Sequence, residues 1–156
     1  MEPNPDLELR LVEPGSELHA AELRVRYRLL REPLGMKHGT EVFQYEDECL
    51  HVVAVESGRV VGCVVFHPHD KTSGRLRQMA VVEKHQKGGI GRQLVRFLEK
   101  NLLEKGYQFV HLHARDLAIG FYQRLGYECY GEPYFEVGIP HQSMRRQLQP
   151  KGQDCD

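Results

Sequence analysis

The sequence predicts an α/β fold, a mixed central sheet of six to seven strands flanked by helices. Three observations carry that reading. Leu76 to Val82 is apolar enough for a mostly buried strand, and from Ile90 the residues Ile90, Leu94, Leu98 and Leu102 recur at helical spacing. A second short apolar segment, Phe109 to Ala114, follows that helix, and the usual crossover handedness makes its strand parallel to the first. Upstream, Leu50 to Val55 and Arg59 to His67 are rich in β-branched residues and separated only by Glu56-Ser57-Gly58, the signature of an antiparallel hairpin. A parallel unit joined to an antiparallel one gives a mixed sheet.

Taken in order, Leu7 to Val12 alternates apolar and charged residues and reads as a first strand with one wet face. Glu13-Pro14-Gly15 breaks it, and Ser16 is placed to cap a helix carrying Leu18, Ala21, Leu23, Val25, Leu29 and Leu30. Arg24, Arg26, Arg28 and Arg31 read as an acceptor-site feature or, with more weight, as the ordinary wet face of that helix, which stops by Pro33-Leu34-Gly35. Residues 36–48 are polar with weak periodicity and read as loop, with room for a short helical turn. After the hairpin, Pro68 ends its second strand and the polar turn His69 to Gly74 leads into the buried strand, completing a three-stranded meander. The helix from Ile90 runs to about Lys105, where Lys100, Lys105 and Gly106 supply a cationic last turn and a glycine stop. A short helix over Ala118 to Leu125 follows the strand at Phe109. Gly126 to Tyr130 and Ile139 to Leu148 are the last strands, separated by an expected turn at Gly131-Glu132-Pro133. Residues 1–149 are read as one domain and 150–156 as a flexible tail with little to bury.

With 156 residues, a net charge of −1 and 40% hydrophobic residues, a soluble domain with a sizeable core is expected. Nothing in the charge pattern calls for nucleic acid or a membrane surface. The start, Met1 to Asp6, lacks an apolar run, and Cys49, Cys63, Cys129 and Cys155 show no CxxC spacing, so reduced thiols in the cytoplasm are expected. Exposed edges of the last strands make a homodimer possible.

The chemistry concentrates where strand turns into helix. In Gln86-Lys87-Gly88-Gly89-Ile90-Gly91-Arg92, three glycines remove side chains where the first free amides of the helix point outward. Those amides, the positive end of the helix dipole and the cations Lys84, Lys87 and Arg92 favour a phosphate or pyrophosphate. A nucleotide triphosphatase loop would need Gly-Lys-Ser/Thr, and a dinucleotide fingerprint would need glycine at Leu94; neither is present. What remains is Gln/Arg-x-x-Gly-x-Gly/Ala, met by Gln86, Gly89 and Gly91 directly after a strand. This closely resembles the coenzyme A pyrophosphate loop of the GNAT N-acetyltransferases. A second block, Ala118-Ile-Gly-Phe-Tyr-Gln-Arg-Leu-Gly-Tyr127, resembles the short helix and strand with which GNAT proteins close the other side of the cofactor. The order of elements matches the GNAT fold over nearly the whole chain.

The resemblance implies an N-acetyltransferase that moves the acetyl group of acetyl-CoA to a primary amine of a small molecule or peptide within a ternary complex. It implies a sheet splayed in the middle, with Gln86, Lys87, Gly88, Gly89, Ile90, Gly91 and Arg92 holding the pyrophosphate. The pantetheine arm would pair with backbone of Met79, Ala80 and Val81, in the manner of an added strand. Phe121 and Tyr122 would flank the cofactor, Tyr122 as general acid to the departing thiol and Phe121 as the core residue of the pair. His113 and His141 are the leading candidates for the base that frees the amine, since imidazole titrates near neutral pH. Glu48 is a weaker one, and residues 36–48 are expected to shape the acceptor pocket. His67-x-His69 and His111-x-His113 have a spacing zinc sites also use, but no further ligands fall at motif spacing and no metal is expected. A non-catalytic CoA-binding domain is the alternative reading.

Overall fold

The computed structural model describes residues 6–86 and 88–149. Its strands are β1 (Leu7–Val12), β2 (Leu50–Glu56), β3 (Arg59–Pro68), β4 (Ser73–Val81), β5 (Phe109–Arg115), β6 (Glu128–Glu136) and β7 (Ile139–Gln147), and its α-helices are α1 (Glu17–Arg26), α2 (Ile90–Glu104) and α3 (Ile119–Arg124). The strands hydrogen-bond in the order β1-β2-β3-β4-β5-β7-β6. Pairing of β4 with β5 is parallel, whereas β1–β2, β2–β3, β5–β7 and β6–β7 are antiparallel, so the sheet is mixed as expected.

The described residues divide into two compact units, one within residues 6–67 and 78–98, the other of residues 68–77 and 99–149. In the first, Val12, Val53, Cys63 and Ala80 are buried together with Leu18, Leu29, Leu30, Val55 and Val60 against them. Helix α1 begins where the sequence placed it, because the Ser16 hydroxyl accepts from the His19 N–H at 3.1 Å. The β2–β3 hairpin turns through Ser57 and Gly58, both at positive φ (49° and 80°), the backbone a tight primed turn requires. Helix α2 buries Ile90, Leu94, Leu98 and Leu102, the stripe its spacing announced, and Val95 besides. Gly62 on β3 allows a close approach: a Cβ there would lie 3.1 Å from both the Ala80 carbonyl and a Leu94 methyl.

In the second unit the α2 terminus closes as Gly106, at φ 95°, donates to the Leu103 carbonyl and Tyr107 donates to Leu102. Buried Glu99 accepts from the Tyr127 hydroxyl and from Arg146, each at 2.8 Å. Gly126, at φ 96°, leaves room for that arginine, whose Nε would be 2.9 Å from a Cβ.

Three expectations are corrected. Strand β4 starts at Ser73 rather than Leu76, because Asp70 closes the preceding turn by accepting from the Thr72 and Ser73 amides at 2.9 and 2.8 Å. The chain does not reverse at Gly131-Glu132-Pro133; β6 continues through it as an irregularity in register between Tyr130 and Tyr134. The reversal comes at Val137-Gly138, whose φ values of 47° and 73° suit a tight hairpin. Lastly, Arg26 is not on a wet face but completely buried.

Candidate active site

The strand-to-helix junction lies in the first unit. Gln78 takes φ 57° in the middle of β4, a left-handed conformation unusual for a side-chain-bearing residue. Its amide oxygen accepts from Arg31 at 3.0 Å and its carbonyl from the Cys63 thiol at 3.3 Å, contacts that hold this kink. Immediately after it come Met79, Ala80 and Val81. Ala80 is buried, while Met79 and Val81 are half-buried. A short turn over Glu83–His85 then leads to Gln86, whose side-chain amide donates to the Val81 carbonyl at 3.0 Å. Loop and strand are thus tied together locally.

Gly88 and Gly89 are exposed, and Gly89 adopts φ 82° with open space where a side chain would be. The Gln93 N–H closes on the Gly89 carbonyl at 3.1 Å, so the glycines immediately precede the α2 hydrogen-bond ladder. Open backbone at a helix N-terminus fits a pyrophosphate by shape and by partial charge. Lys87, expected in the same loop, lies outside the described residues.

The same unit contains a buried polar cluster that sequence reasoning missed. His19, Glu22, Arg26, Glu46 and His51 are all buried, Glu22 and Arg26 completely. The Arg26 guanidinium donates to Glu22 Oε2 at 2.9 Å, to both carboxylate oxygens of Glu46 and to the Glu41 carbonyl. His19 Nε2 lies 2.9 Å from Glu46, and His51 bridges Glu22 Oε2 at 3.0 Å and the Glu46 carbonyl at 2.8 Å. Burial opposes charge on His51 and Glu46. The hydrogen bond His51 donates to Glu22 nevertheless raises its pKa above the ordinary imidazole value, and the one Glu46 accepts from Arg26 lowers Glu46 below the ordinary carboxylate value. Ligand atoms of His19, Glu22, Glu46 and His51 lie within 4.8 Å of one another, a grouping compatible with a metal; here Arg26 already sets a positive charge against both carboxylates. The cluster fastens the 36–48 loop to α1 and β2 through Glu41 and Glu46. The only advance signal was the i,i+4 spacing of Glu22 and Arg26. Glu48, the carboxylate singled out from sequence, is exposed.

The second unit holds the other candidates. Tyr122 on α3 is 6% exposed and Phe121 half-buried, the reverse of the expected core assignment, because α3 turns Tyr122 inward, edge-on to Tyr127 at 5.7 Å. Burial raises the Tyr122 hydroxyl pKa well above that of ordinary phenol. His113 on β5 is half-buried with Nδ1 shielded and unbonded among the described residues; burial, then the charge of Arg75, lowers its pKa. His141 is 7% exposed. Its Nδ1 lies 2.8 Å from the Ile139 carbonyl, so that nitrogen is the protonated one, and Nε2 lies 3.5 Å from Glu136. Tyr134 joins the two histidines, edge-on to His113 at 5.8 Å and stacked on His141 at 5.7 Å. The two His-x-His pairs do not act as pairs: His69 Nδ1 instead meets His111 Nε2 at 3.2 Å. The parallel β4–β5 register comprises Ser73↔Phe109, Gly74↔Val110 and Arg75↔His111, after which β4 continues to Val81.

Among the described residues no helix is long and apolar enough to cross a membrane. Residues 35–148 match the acetyltransferase (GNAT) domain family. The chain is 26% identical over 149 residues to the uncharacterized protein YyaT of Bacillus subtilis, covering 91% of this chain and 97% of that one. It is 30% identical over 107 residues to the uncharacterized N-acetyltransferase YjcF of the same organism, covering 68% and 76%. Its fold is similar to that of an aminoglycoside 6'-N-acetyltransferase crystallised with coenzyme A, with a TM-score of 0.77 at 18% identity over 94% of this chain and 99% of that one.

Proposed function

Because the chain belongs to the GNAT acetyltransferase family, we propose that it is an N-acetyltransferase that passes the acetyl group of acetyl-CoA to a primary amine of a small molecule or peptide. The observation that carries this reading is the open glycine backbone of Gly88 and Gly89 at the head of α2, directly downstream of a kinked strand. The amides of Gln86 to Arg92, with Lys87, Gly88, Gly89, Ile90 and Gly91 among them, would hold the pyrophosphate. Backbone of Met79, Ala80 and Val81 would hold the pantetheine arm. When bound, acetyl-CoA supplies an activated acyl group and a thiol leaving group.

Everything else falls to the chain's own residues. An amine must be unprotonated to attack, and His113, held toward its neutral form, can accept its proton through a lone pair. His141, with Nδ1 pinned to a carbonyl, offers Nε2 for the same task, and the Glu136 carboxylate 3.5 Å away would stabilise the imidazolium formed. Tyr122, held protonated by burial, can donate toward the departing sulfur, while Phe121 lines the same short helix. A thiol of ordinary pKa about 8.5 departs without absolute need of that proton, so the gain from Tyr122 sits at the low end of general-acid effects.

Thiol release from acetyl-CoA should therefore fall by about a hundredfold in kcat when Tyr122→Phe removes the hydroxyl, with CoA affinity measured by calorimetry nearly unchanged. An unaltered kcat across pH would exclude Tyr122 from the chemistry. The panel of acceptors is amino acids, polyamines, aminoglycosides and a peptide N-terminus; tight CoA binding with no thiol release from any of them would instead support a binding domain.

The pH dependence has a definite sign. A base must be neutral, so activity is present above its pKa and lost as pH falls through it. His113 is faced by Arg75, Arg77, His111, Tyr134, His141 and Glu136, and the net effect, led by burial, lowers its pKa. The acid limb of kcat/KM is thus expected below the ordinary imidazole value of about 6.5 and should disappear in His113→Gln. A limb at or above that value, unaffected by the substitution, would move the assignment away from His113.

A further inference from the structure

Resting on the amine-acetylation reading, we infer that the acceptor carries an anionic group, a carboxylate or a phosphate, seated over the row of side chains Arg75, His111 and Arg145 in the second unit. Strand register produces that row. Arg75 pairs with His111 across β4–β5, and His111 pairs with Arg145 across β5–β7, so all three project from one face of the sheet. With strands about 4.8 Å apart, the two arginine backbones stand roughly 10 Å from each other with an imidazole midway. An anion over His111 is within side-chain reach of both guanidiniums, the arrangement that planar, forked donors serve best.

Along this row two arginines stand against one carboxylate, Glu128, which is in register with Arg145. Arg75 Nε is shielded from solvent and makes no hydrogen bond among the described residues. Among the described residues Arg145 meets Glu128 at 3.7 Å, both exposed, and leans over the Tyr130 ring at 4.7 Å. His69 adds a further imidazole 3.2 Å from His111. After burial, the charges that depress His111 to about 4 are those of His69, His113 and Arg75, all positive when ionised, which is how a site short of an anion behaves. A cavity of about 490 Å³ opens on the β7 side of His111, lined by Phe109, His111, Glu128, Tyr130, Arg145 and Gln147, while Arg75 stands across His111 from it on β4; the size suits a small molecule.

The next row along the same face contains His113, Ser143 and Tyr130. His113 is two residues beyond His111, about 6.6 Å along the strand. That is close to the span of an amine separated from its anionic oxygens by about four or five bonds. Short amino acids and aminoalkyl phosphates have that form, whereas a polyamine would meet like charge.

The test compares matched acceptors: β-alanine against β-alaninamide, and phosphoethanolamine against ethanolamine, in the thiol-release assay with the full chain. The anionic member of one or both pairs should be preferred in kcat/KM by about tenfold or more, and which pair shows it distinguishes carboxylate from phosphate. Arg75→Gln and Arg145→Gln should each collapse that ratio toward one through KM, with acetyl-CoA KM as the internal reference. Equal use of neutral and anionic members, or an equal loss for both in the variants, overturns the inference. Should no amine release thiol, acetylation itself is in question, and the anion site is read separately by NMR of the imidazole signals. Phosphoethanolamine and inorganic phosphate should shift His111 in the parent and not in Arg75→Gln; absence of a shift in the parent overturns the site.

Discussion

Replacing Gly89 by glutamate is expected to reduce coenzyme A affinity at least about a hundredfold, to the point of no detectable heat in a calorimetric titration. Two effects act together. Gly89 sits at φ 82°, so any side chain strains the backbone by about 1 kcal/mol or more. A carboxylate placed where the pyrophosphate is proposed to lie adds like-charge repulsion of several kcal/mol, and each 1.4 kcal/mol is about tenfold in affinity. The Cβ itself meets nothing within 4 Å, so the fold should survive and circular dichroism should match the parent. Gly89→Ala separates the terms, since it keeps the backbone strain and removes the charge; it should bind CoA more weakly than the parent but far better than the glutamate variant. Parent-like affinity in Gly89→Glu would contradict the placement of the pyrophosphate on this loop.

The second large effect is on stability. Arg26→Ala should lower the free energy of unfolding by about 3–5 kcal/mol, the usual consequence of deleting one partner from a buried ionic network. Glu22 and Glu46 would be left facing each other's charge in the interior, with Glu22 already fully buried and its Oε1 unbonded among the described residues. Urea unfolding measures this, a midpoint shift at constant slope being the expected form. Arg24 and Arg28, neighbours on the same segment, are exposed, and alanine at either should change stability by no more than about 0.5 kcal/mol. A loss at Arg26 as small as at Arg24 would mean that the cluster is held by packing and not by charge.

The contrast among these arginines shows where sequence reading stopped. Arg24, Arg26, Arg28 and Arg31 look alike in a pattern of charge, yet Arg26 is completely buried and Arg31 reaches the kink at Gln78. Their different fates depend on Glu46 and Thr40, which approach only after the 36–48 loop folds back. The inversion of Phe121 and Tyr122 has the same origin: on a helix as short as Ile119–Arg124, which ring points inward is set by what it packs against, here Tyr127. The misplaced hairpin followed from composition, because Gly131 and Pro133 read as a turn while Val137 carries no turn signal, although it takes φ 47°.

By itself the sequence determined the mixed α/β sheet, the Ser16 cap, the buried stripe of α2 and the glycine loop at its head. The cap, the stripe and the loop rest on residues close along the chain, and the mixed sheet on the order of short periodic segments, features that leave a direct imprint on a one-dimensional pattern. Only the tertiary structure decided the Arg26 cluster, the meeting of His69 with His111 and the row of Arg75, His111 and Arg145. Those arrangements join residues separated by tens of positions, and their partners are chosen by strand register and loop closure, which a one-dimensional pattern does not encode.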